Sequence, residues 1–301
     1  MEKIKFVEVG PRDGLQNQTE SFSLDFRIEL IERLVNCGVE SLEAGSFVSP
    51  KAIPQMQDSE KVFEALKSKA VDLSFLVPNR KGFDRAVTAG VRSIALFTAT
   101  SEAFVQKNIR MSIDDSMRVF EEISREAKDR KMRIRGYLST VFGCPYEGRQ
   151  SVTSAIELTK RLFQMGCDEV SLGDTIGVAH PRQVREFWKD FRSELSVKNV
   201  AAHFHDTRGA ALANILATLE SEVRIFDGSV GGLGGCPYAA GASGNVASEE
   251  VIWLLEGLGF ETGISLEELL TTAAWLETHL KNPLKSKLYR SAPKHLYYHK
   301  V

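Results

Sequence analysis

The chain has 301 residues, 43% of them hydrophobic, with 38 basic and 40 acidic side chains and a formal net charge of -2. That is enough apolar residue for a sizeable core, and it argues against disorder. The even charge balance offers no footprint for nucleic acid or an anionic membrane, and no apolar run reaches the length of a membrane span.

Short apolar runs rich in β-branched residues recur along the chain: Ile4–Val9, Ser41–Gly45, Asp72–Val77, Ser93–Ala99, Arg133–Thr140, Glu169–Asp174, Val200–Asp206 and Arg224–Val230. Segments of helical periodicity separate most of them. In the first, Ser23 is placed to cap, Leu24, Ile28, Ile31 and Val35 share one face, and Gly38 ends the helix. Others are Ser59–Lys67, Ser112–Asp129, Ser151–Met165, Pro181–Ser193 and Ala211–Glu220. A weak repeat supports this order. Cys37-Gly38-Val39, Ala89-Gly90-Val91 and Met165-Gly166-Cys167 each close a helix on glycine a few residues before a strand.

Strands alternating with helices mean parallel strands and right-handed crossovers, and eight such units predict a closed (β/α)8 TIM barrel. An open doubly wound sheet would announce a nucleotide site by a glycine-rich turn after its first strand, and none stands there. The expectation is one domain, with the barrel over about 1–260. A C-terminal helical extension follows at Ser265–Leu280, and then a tail, 282–301, packed on the barrel or on a partner chain as in a homodimer. Met1-Glu2-Lys3 leads straight into Ile4, which leaves no room for a presequence. Four cysteines, Cys37, Cys144, Cys167 and Cys236, lie far apart without CxxC spacing. Both features predict a reducing, cytoplasmic setting.

Chemistry-bearing residues collect at the C-terminal ends of the strands, where a barrel of this kind builds its site. His203 and His205 alternate on strand 7, so their imidazoles project to one face, spaced to share a metal. Arg12-Asp13 follow strand 1, Glu43 ends strand 2, Arg135 and Tyr137 lie on strand 5, and Ser171 and Asp174 on strand 6. Strand 8 runs into a glycine-rich loop bearing Cys236, then Asn245. Each has an ordinary alternative: an Asp-Gly turn, a structural ion pair, a helix cap, a small buried thiol. Together, an Asp, two His and an Asn from strands 1, 7 and 8 form a mixed oxygen–nitrogen set suited to a divalent metal such as Mg2+ or Mn2+. Cys236 in a loop of such backbone freedom is placed to move a proton. Arg80-Lys81 and Lys107–Arg110 read as short basic loops on the same rim.

With these residues assembled, the sequence resembles the hydroxymethylglutaryl-CoA lyase family over nearly its whole length. The likeness runs through Glu8-Val9-Gly10-Pro11-Arg12-Asp13-Gly14-Leu15-Gln16-Asn17, Gly143-Cys144-Pro145-Tyr146-Glu147, Ser171-Leu172-Gly173-Asp174-Thr175 and His203-Phe204-His205-Asp206-Thr207. It ends with Gly231-Gly232-Leu233-Gly234-Gly235-Cys236-Pro237-Tyr238 and Gly244-Asn245. The resemblance implies a metal-dependent retro-Claisen lyase acting on an acyl-CoA at the barrel mouth. It implies Asp13, His203, His205 and Asn245 as metal ligands, and Arg12 beside the enolate oxygen. Glu43, Asp174 and Glu249 would support the site, Cys236 would ride on a mobile catalytic loop, and Gln16 and Tyr137 fall in matching segments. The catalytic set is then Arg12, Asp13, Glu43, Asp174, His203 and Cys236, with Asp13 or His203 as base. Many members carry Thr or Ser after the strand-2 glutamate, where this chain has Ala44-Gly45, and a basic residue near Gln18-Thr19. Both departures bear on how the acyl portion is held. The alternatives are a lyase for another 3-hydroxyacyl-CoA, a metal-dependent aldolase on the same barrel, and a non-catalytic metal-binding relative.

Overall fold

The computed structural model describes residues 1–235 and 244–292. Eight parallel strands close in chain order into a barrel, the first pairing with the second and the eighth. They are β1 (Lys5–Glu8), β2 (Ser41–Ser46), β3 (Asp72–Leu76), β4 (Ser93–Ala99), β5 (Arg133–Ser139), β6 (Glu169–Asp174), β7 (Val200–Phe204) and β8 (Ile225–Gly228). The crossovers carry α1 (Leu24–Asn36), α2 (Ser59–Leu66), α3 (Arg80–Ala89), α4 (Glu102–Ile109) with α5 (Ile113–Asp129), α6 (Val152–Gln164), α7 (Pro181–Glu194) and α8 (Ala211–Leu219). After β8 come α9 (Ser248–Gly257), α10 (Leu266–Glu277) and α11 (Lys287–Ser291). This is the (β/α)8 barrel the alternation predicts.

The two-residue period of each strand sorts its side chains between two environments. Phe6, Ile134, Leu138, Val170, Leu172, Ala202, Phe204 and Phe226 join the main core under the helices. Their neighbours in sequence turn inward. There Val7, Val9, Ala201 and Ile225 form a small separate apolar cluster. Above and below it the interior is charged: Lys5 reaches Glu169 at 2.6 Å, and Arg135 reaches Glu169 at 2.7 Å and Asp227 at 2.6 Å. The apolar runs in the sequence are therefore outward faces interleaved with a polar lumen.

Local signals act where they were read. Ser23 Oγ accepts from the Phe26 amide at 3.1 Å and caps α1. Gly38, Gly90 and Gly166 all adopt positive φ, at 97°, 81° and 105°. At Gly38 a Cβ would stand 2.2 Å from the Gly263 carbonyl oxygen, so no larger residue fits. The buried face of α1 departs from expectation: Phe26, Leu30, Ile31 and Leu34 are covered, and Leu24, Ile28 and Val35 are only partly buried. The cause is α10, whose Trp275 stacks on Phe26 at 5.0 Å and widens the buried stripe. The basic segments also differ from expectation. Arg80 and Lys81 are the first turn of α3, capped by Asn79, which accepts from the Gly82 amide at 3.0 Å. Lys107 to Ile109 end α4, and Arg110 caps it in the left-handed region.

Residues 282–292 pack back on the barrel. Leu284 is buried, and the Lys285 amide donates to the Gly231 carbonyl at 3.1 Å. The turn they cover, Val230–Gly232, is held from beneath by two buried carboxylates. Glu8 accepts from the Gly10 and Val230 amides at 2.7 and 3.0 Å and from Ser248 Oγ at 2.5 Å. Glu249 accepts from the Gly231 amide at 3.0 Å. Burial pushes Glu8 up to about 8, against the pull of those donors, and Glu249 up to about 7. Between the ordinary value of 4.5 and about 8, the folded chain then holds a proton on Glu8 that the unfolded chain has released. Stability falls as pH rises through that window. Glu8→Gln keeps both the amide acceptor and a partner for Ser248 without the ionisation. It is expected to flatten the decline of Tm between about pH 5 and about pH 8 relative to the parent, as followed by circular dichroism. An unchanged slope would assign the dependence elsewhere.

Candidate active site

The mouth of the barrel is shaped first by the turn after β1. The amides of Arg12, Asp13 and Gly14 all point at the Val9 carbonyl, at 3.2, 2.7 and 3.2 Å, which makes Gly10–Gly14 a single wide π-helical turn. Pro11 opens it with no amide to satisfy. The wide turn sets Arg12 and Asp13 side by side on the cavity wall. On β2 the ladder to β3 shifts register between Glu43 and Gly45. The Glu43 carboxylate, fully buried, takes both Nε and Nη2 of Arg12 at 2.6 Å. Arg12 Nη1 donates to Asp13 Oδ1 at 2.8 Å. Burial opposes the guanidinium charge, but Glu43 and Asp13 outweigh it and hold Arg12 above its ordinary value. The cation is thus fixed in place and permanently charged.

On β7 and just past it, the His203 and His205 rings lie 5.2 Å apart. Ligand atoms of Asp13, His203 and His205 all lie within 4.8 Å of one another. Burial opposes the charge of Asp13, but Arg12, His203 and His205 hold its carboxyl below the ordinary value. Burial and then His203 push His205 down to about 3, which leaves it neutral, as a ligand must be. Asn245 pairs with His205 in an isolated bridge, and its Nδ2 donates to Asp13 Oδ2 at 2.8 Å and to the Leu233 carbonyl at 3.1 Å. Among the described residues, its Oδ1 and the Nδ1 of His205 are buried with no hydrogen-bond partner. Orphaned acceptor atoms on an Asp, His, His, Asn set fit a divalent cation.

The HMGL-like family model matches residues 3–276. The chain belongs to this family. It is 46% identical over 97% of its length to the mitochondrial hydroxymethylglutaryl-CoA lyase of Bos taurus, 90% of which is covered. It is 47% identical over 89% of its length to a 3-hydroxy-3-isohexenylglutaryl-CoA/hydroxy-methylglutaryl-CoA lyase of Pseudomonas aeruginosa, again 90% covered. The fold is similar, at a TM-score of 0.91 and 37% identity, to an HMG-CoA lyase from Acinetobacter baumannii in complex with coenzyme A and 3-methylmalate, covering 96% of this chain and 95% of that one.

A cavity of about 470 Å3 is lined by Arg12, Asp13, Gln16, Tyr137, His203 and His205 together. Gln16 presents a buried, unpartnered Oε1. Tyr137 accepts from Arg135 Nη1 at 2.8 Å and lies under Arg12, whose guanidinium is 5.8 Å from its ring centre. Asp174 and Glu249 do not line the cavity. Both Asp174 oxygens accept backbone amides, Val178 at 3.0 Å and Ala179 at 2.9 Å, and so shape the loop before α7. Glu249 holds the glycine turn described above. Cys236 lies outside the described residues. Arg80 does not line the cavity either; it pairs with Asp84 at 2.8 Å and Glu126 at 2.7 Å, a surface arrangement on α3 and α5.

Sequence reasoning missed Asp227 on β8. It is buried, accepting from Arg135, from Ser171 Oγ at 2.8 Å and from His203 Nδ1 at 3.3 Å. Burial works against its charge, but Arg135 and then His203 keep it below the ordinary carboxylate range. The signal was there: an acidic residue inside an apolar strand, the same mark that singled out Glu43. Also missed was the apolar part of the cavity lining, made by Leu76, Pro78, Phe97, Phe104, Ile109 and Phe120.

Proposed function

We propose that the chain is a divalent-metal-dependent lyase that cleaves 3-hydroxy-3-methylglutaryl-CoA to acetyl-CoA and acetoacetate. The observation that carries this is Arg12, a buried and permanently charged guanidinium locked between Glu43 and Asp13 at the edge of the Asp13–His203–His205 cluster. Asp13, His203, His205 and Asn245 would hold a Mg2+ or Mn2+ ion, which would supply Lewis acidity toward the substrate's C3 hydroxyl. Asp13 accepts the proton of the C3 hydroxyl. The C2–C3 bond then breaks, its electron pair moving into the thioester as an enolate while C3 becomes the ketone of acetoacetate. Arg12 donates to the enolate oxygen, a type of interaction worth roughly 3 kcal/mol for one good donor. The Cys236 thiol protonates C2 to complete acetyl-CoA, and the proton held on the base restores the thiol.

A second reading concerns the acyl chain. 3-Hydroxy-3-methylglutaryl-CoA offers one methyl group to an apolar wall of six large side chains. That wall favours a substrate with a longer alkyl group at C3, as the name of the Pseudomonas aeruginosa relative describes for that enzyme. One assay tests both readings: release of acetyl-CoA from thioesters of increasing C3 chain length, after EDTA treatment and re-addition of Mg2+ or Mn2+. Release that depends on the metal is expected. With the wall filled, kcat/KM gains up to about fourfold per buried methylene. A fall with the first added methylene restricts the substrate to the methyl compound. No release from any thioester with either metal returns the chain to the non-catalytic reading.

The setting proposed is cytoplasmic, supported by Cys37, Cys144 and Cys167 being free thiols. Among the described residues, no helix is long and apolar enough to cross a membrane. A homodimer is proposed as the assembly, supported by Trp253 on α9 and Leu216 on α8, exposed at 54% and 41%. Sedimentation as a monomer at micromolar concentration would exclude it.

A further inference from the structure

We infer that Asp227 is a positioning residue that sets the tautomer and orientation of His203. The inference rests on the proposed role of His203 as a metal ligand. Two donors and one imidazole nitrogen converge on the Asp227 carboxylate: Arg135 Nη2 donates to Oδ1 at 2.6 Å, Ser171 Oγ donates to Oδ2 at 2.8 Å, and His203 Nδ1 lies 3.3 Å from Oδ2. A buried carboxylate held ionised by a guanidinium accepts hydrogen bonds and cannot donate them. The imidazole proton therefore belongs on Nδ1, and the Nε2 lone pair is left for the cavity. Asp227 cannot join the ligands itself, because it is 1% exposed and both its oxygens are engaged.

The carboxylate is in turn held from the barrel floor. Arg135 Nε donates to Glu169 at 2.7 Å, and Glu169 takes Lys5 at 2.6 Å. Lys5, Glu169, Arg135 and Asp227 thus form one run of alternating charge through the lumen, which ends at the His203 ring. His205 is oriented differently. Its Nδ1 has no partner, and it is placed by backbone pairing with Asn245. Among the described residues, the Asp227 side chain meets Nδ1 of His203, and none meets Nδ1 of His205.

Asp227→Asn separates this role from a packing role. The amide has the same shape and keeps one oxygen for Arg135, but it turns an NH2 toward His203. The imidazole must then accept at Nδ1, which moves its proton to Nε2. In metal-free protein, 15N-resolved NMR of the histidine rings is expected to show His203 as the Nδ1–H tautomer in the parent and as Nε2–H in the variant. Calorimetric titration with Mn2+ alone is expected to show affinity about 10–100-fold weaker in the variant. Unchanged Mn2+ affinity in folded Asp227→Asn, or an Nε2–H tautomer in the parent, overturns the inference. If the variant does not fold, the parent's tautomer alone decides. If the parent shows Nδ1–H but binds no Mn2+, the metal reading of the site fails, and the inference fails with it as a statement about metal binding.

Discussion

Arg12→Gln is expected to lower kcat by about a hundredfold to a thousandfold, with KM for the thioester changed far less. Arg12 spans Glu43, which is fully buried, and Asp13, which faces the cavity. Its charge is therefore aimed at the cavity by partners that do not move. Glutamine is shorter, neutral and without the fork that engages both carboxylates. An enolate oxygen forming near Arg12 would lose its cation only as negative charge develops, which is why the loss should fall on kcat. The substitution also strands Glu43. An uncompensated buried carboxylate costs about 3–5 kcal/mol if it stays ionised. Burial already lifts Glu43 above its ordinary value, so it is expected to take up a proton instead, with a smaller loss of stability. Arg12→Lys completes the test. It restores a charge for Glu43, and with it most of the Tm, but not the two-nitrogen geometry that directs the remaining N–H. Low activity in a stable Arg12→Lys enzyme assigns the effect to the guanidinium. Near-parental turnover in either variant would remove Arg12 from the chemistry.

The fold was legible because a closed parallel barrel writes itself into sequence at two periods. Its strands have outward faces that pack under helices, and its helices end on glycines where the next strand must begin. Gly38, Gly90 and Gly166 are the clearest case: three helix ends that need positive φ, each marked in the sequence by a glycine. What was not legible is what depends on a third element. The buried stripe of α1 could not be read from α1 alone, because Trp275 arrives from α10, more than two hundred residues away. The Arg80 and Lys107 segments look like basic loops because their first residues are polar. Their helical continuation shows only when Asn79 and Ser101 act as caps, accepting from Gly82 and Phe104 at 3.0 and 3.1 Å.

The site divides in the same way. Residues at the strand ends around the cavity are polar against an apolar background, so Arg12, Asp13, Glu43, His203 and His205 stand out. The side chains that orient them lie deeper. Arg135 and Tyr137 were visible as polar residues on a strand, but their function lies in what they touch, Asp227, Glu169 and each other. Asp174 was visible for the same reason and turns out to spend both oxygens on the amides of Val178 and Ala179. A carboxylate at a strand end signals a demand for hydrogen bonds. Only the packing tells whether the substrate side or the backbone meets it.

Asp13→Ala carries the second large effect, and it is expected on metal binding before turnover. Asp13 is the carboxylate of the candidate ligand set; the other members, His203, His205 and Asn245, are neutral ligands. A hard divalent cation gains most from that anionic oxygen, and two imidazoles alone favour softer ions. Outer-shell changes cost about 10–100-fold in metal affinity, and loss of a charged inner ligand is expected to exceed that range for Mn2+. The fold should survive. Asp13 is bound by Arg12 Nη1 and Asn245 Nδ2, and Arg12 and Asp13 line a cavity that water can fill. With Glu43 still paired, Arg12 keeps its place. The expected result is a folded protein with near-parental Tm, no measurable Mn2+ binding by calorimetry, and no acetyl-CoA release that added Mg2+ or Mn2+ restores. Asp13→Glu tests the geometry against the charge. It keeps the anion but moves the oxygen by one methylene, so partial Mn2+ affinity without turnover would mean that Asp13 also serves as the base. Full Mn2+ affinity in Asp13→Ala would place the cation elsewhere and break the link between this cluster and the lyase reaction.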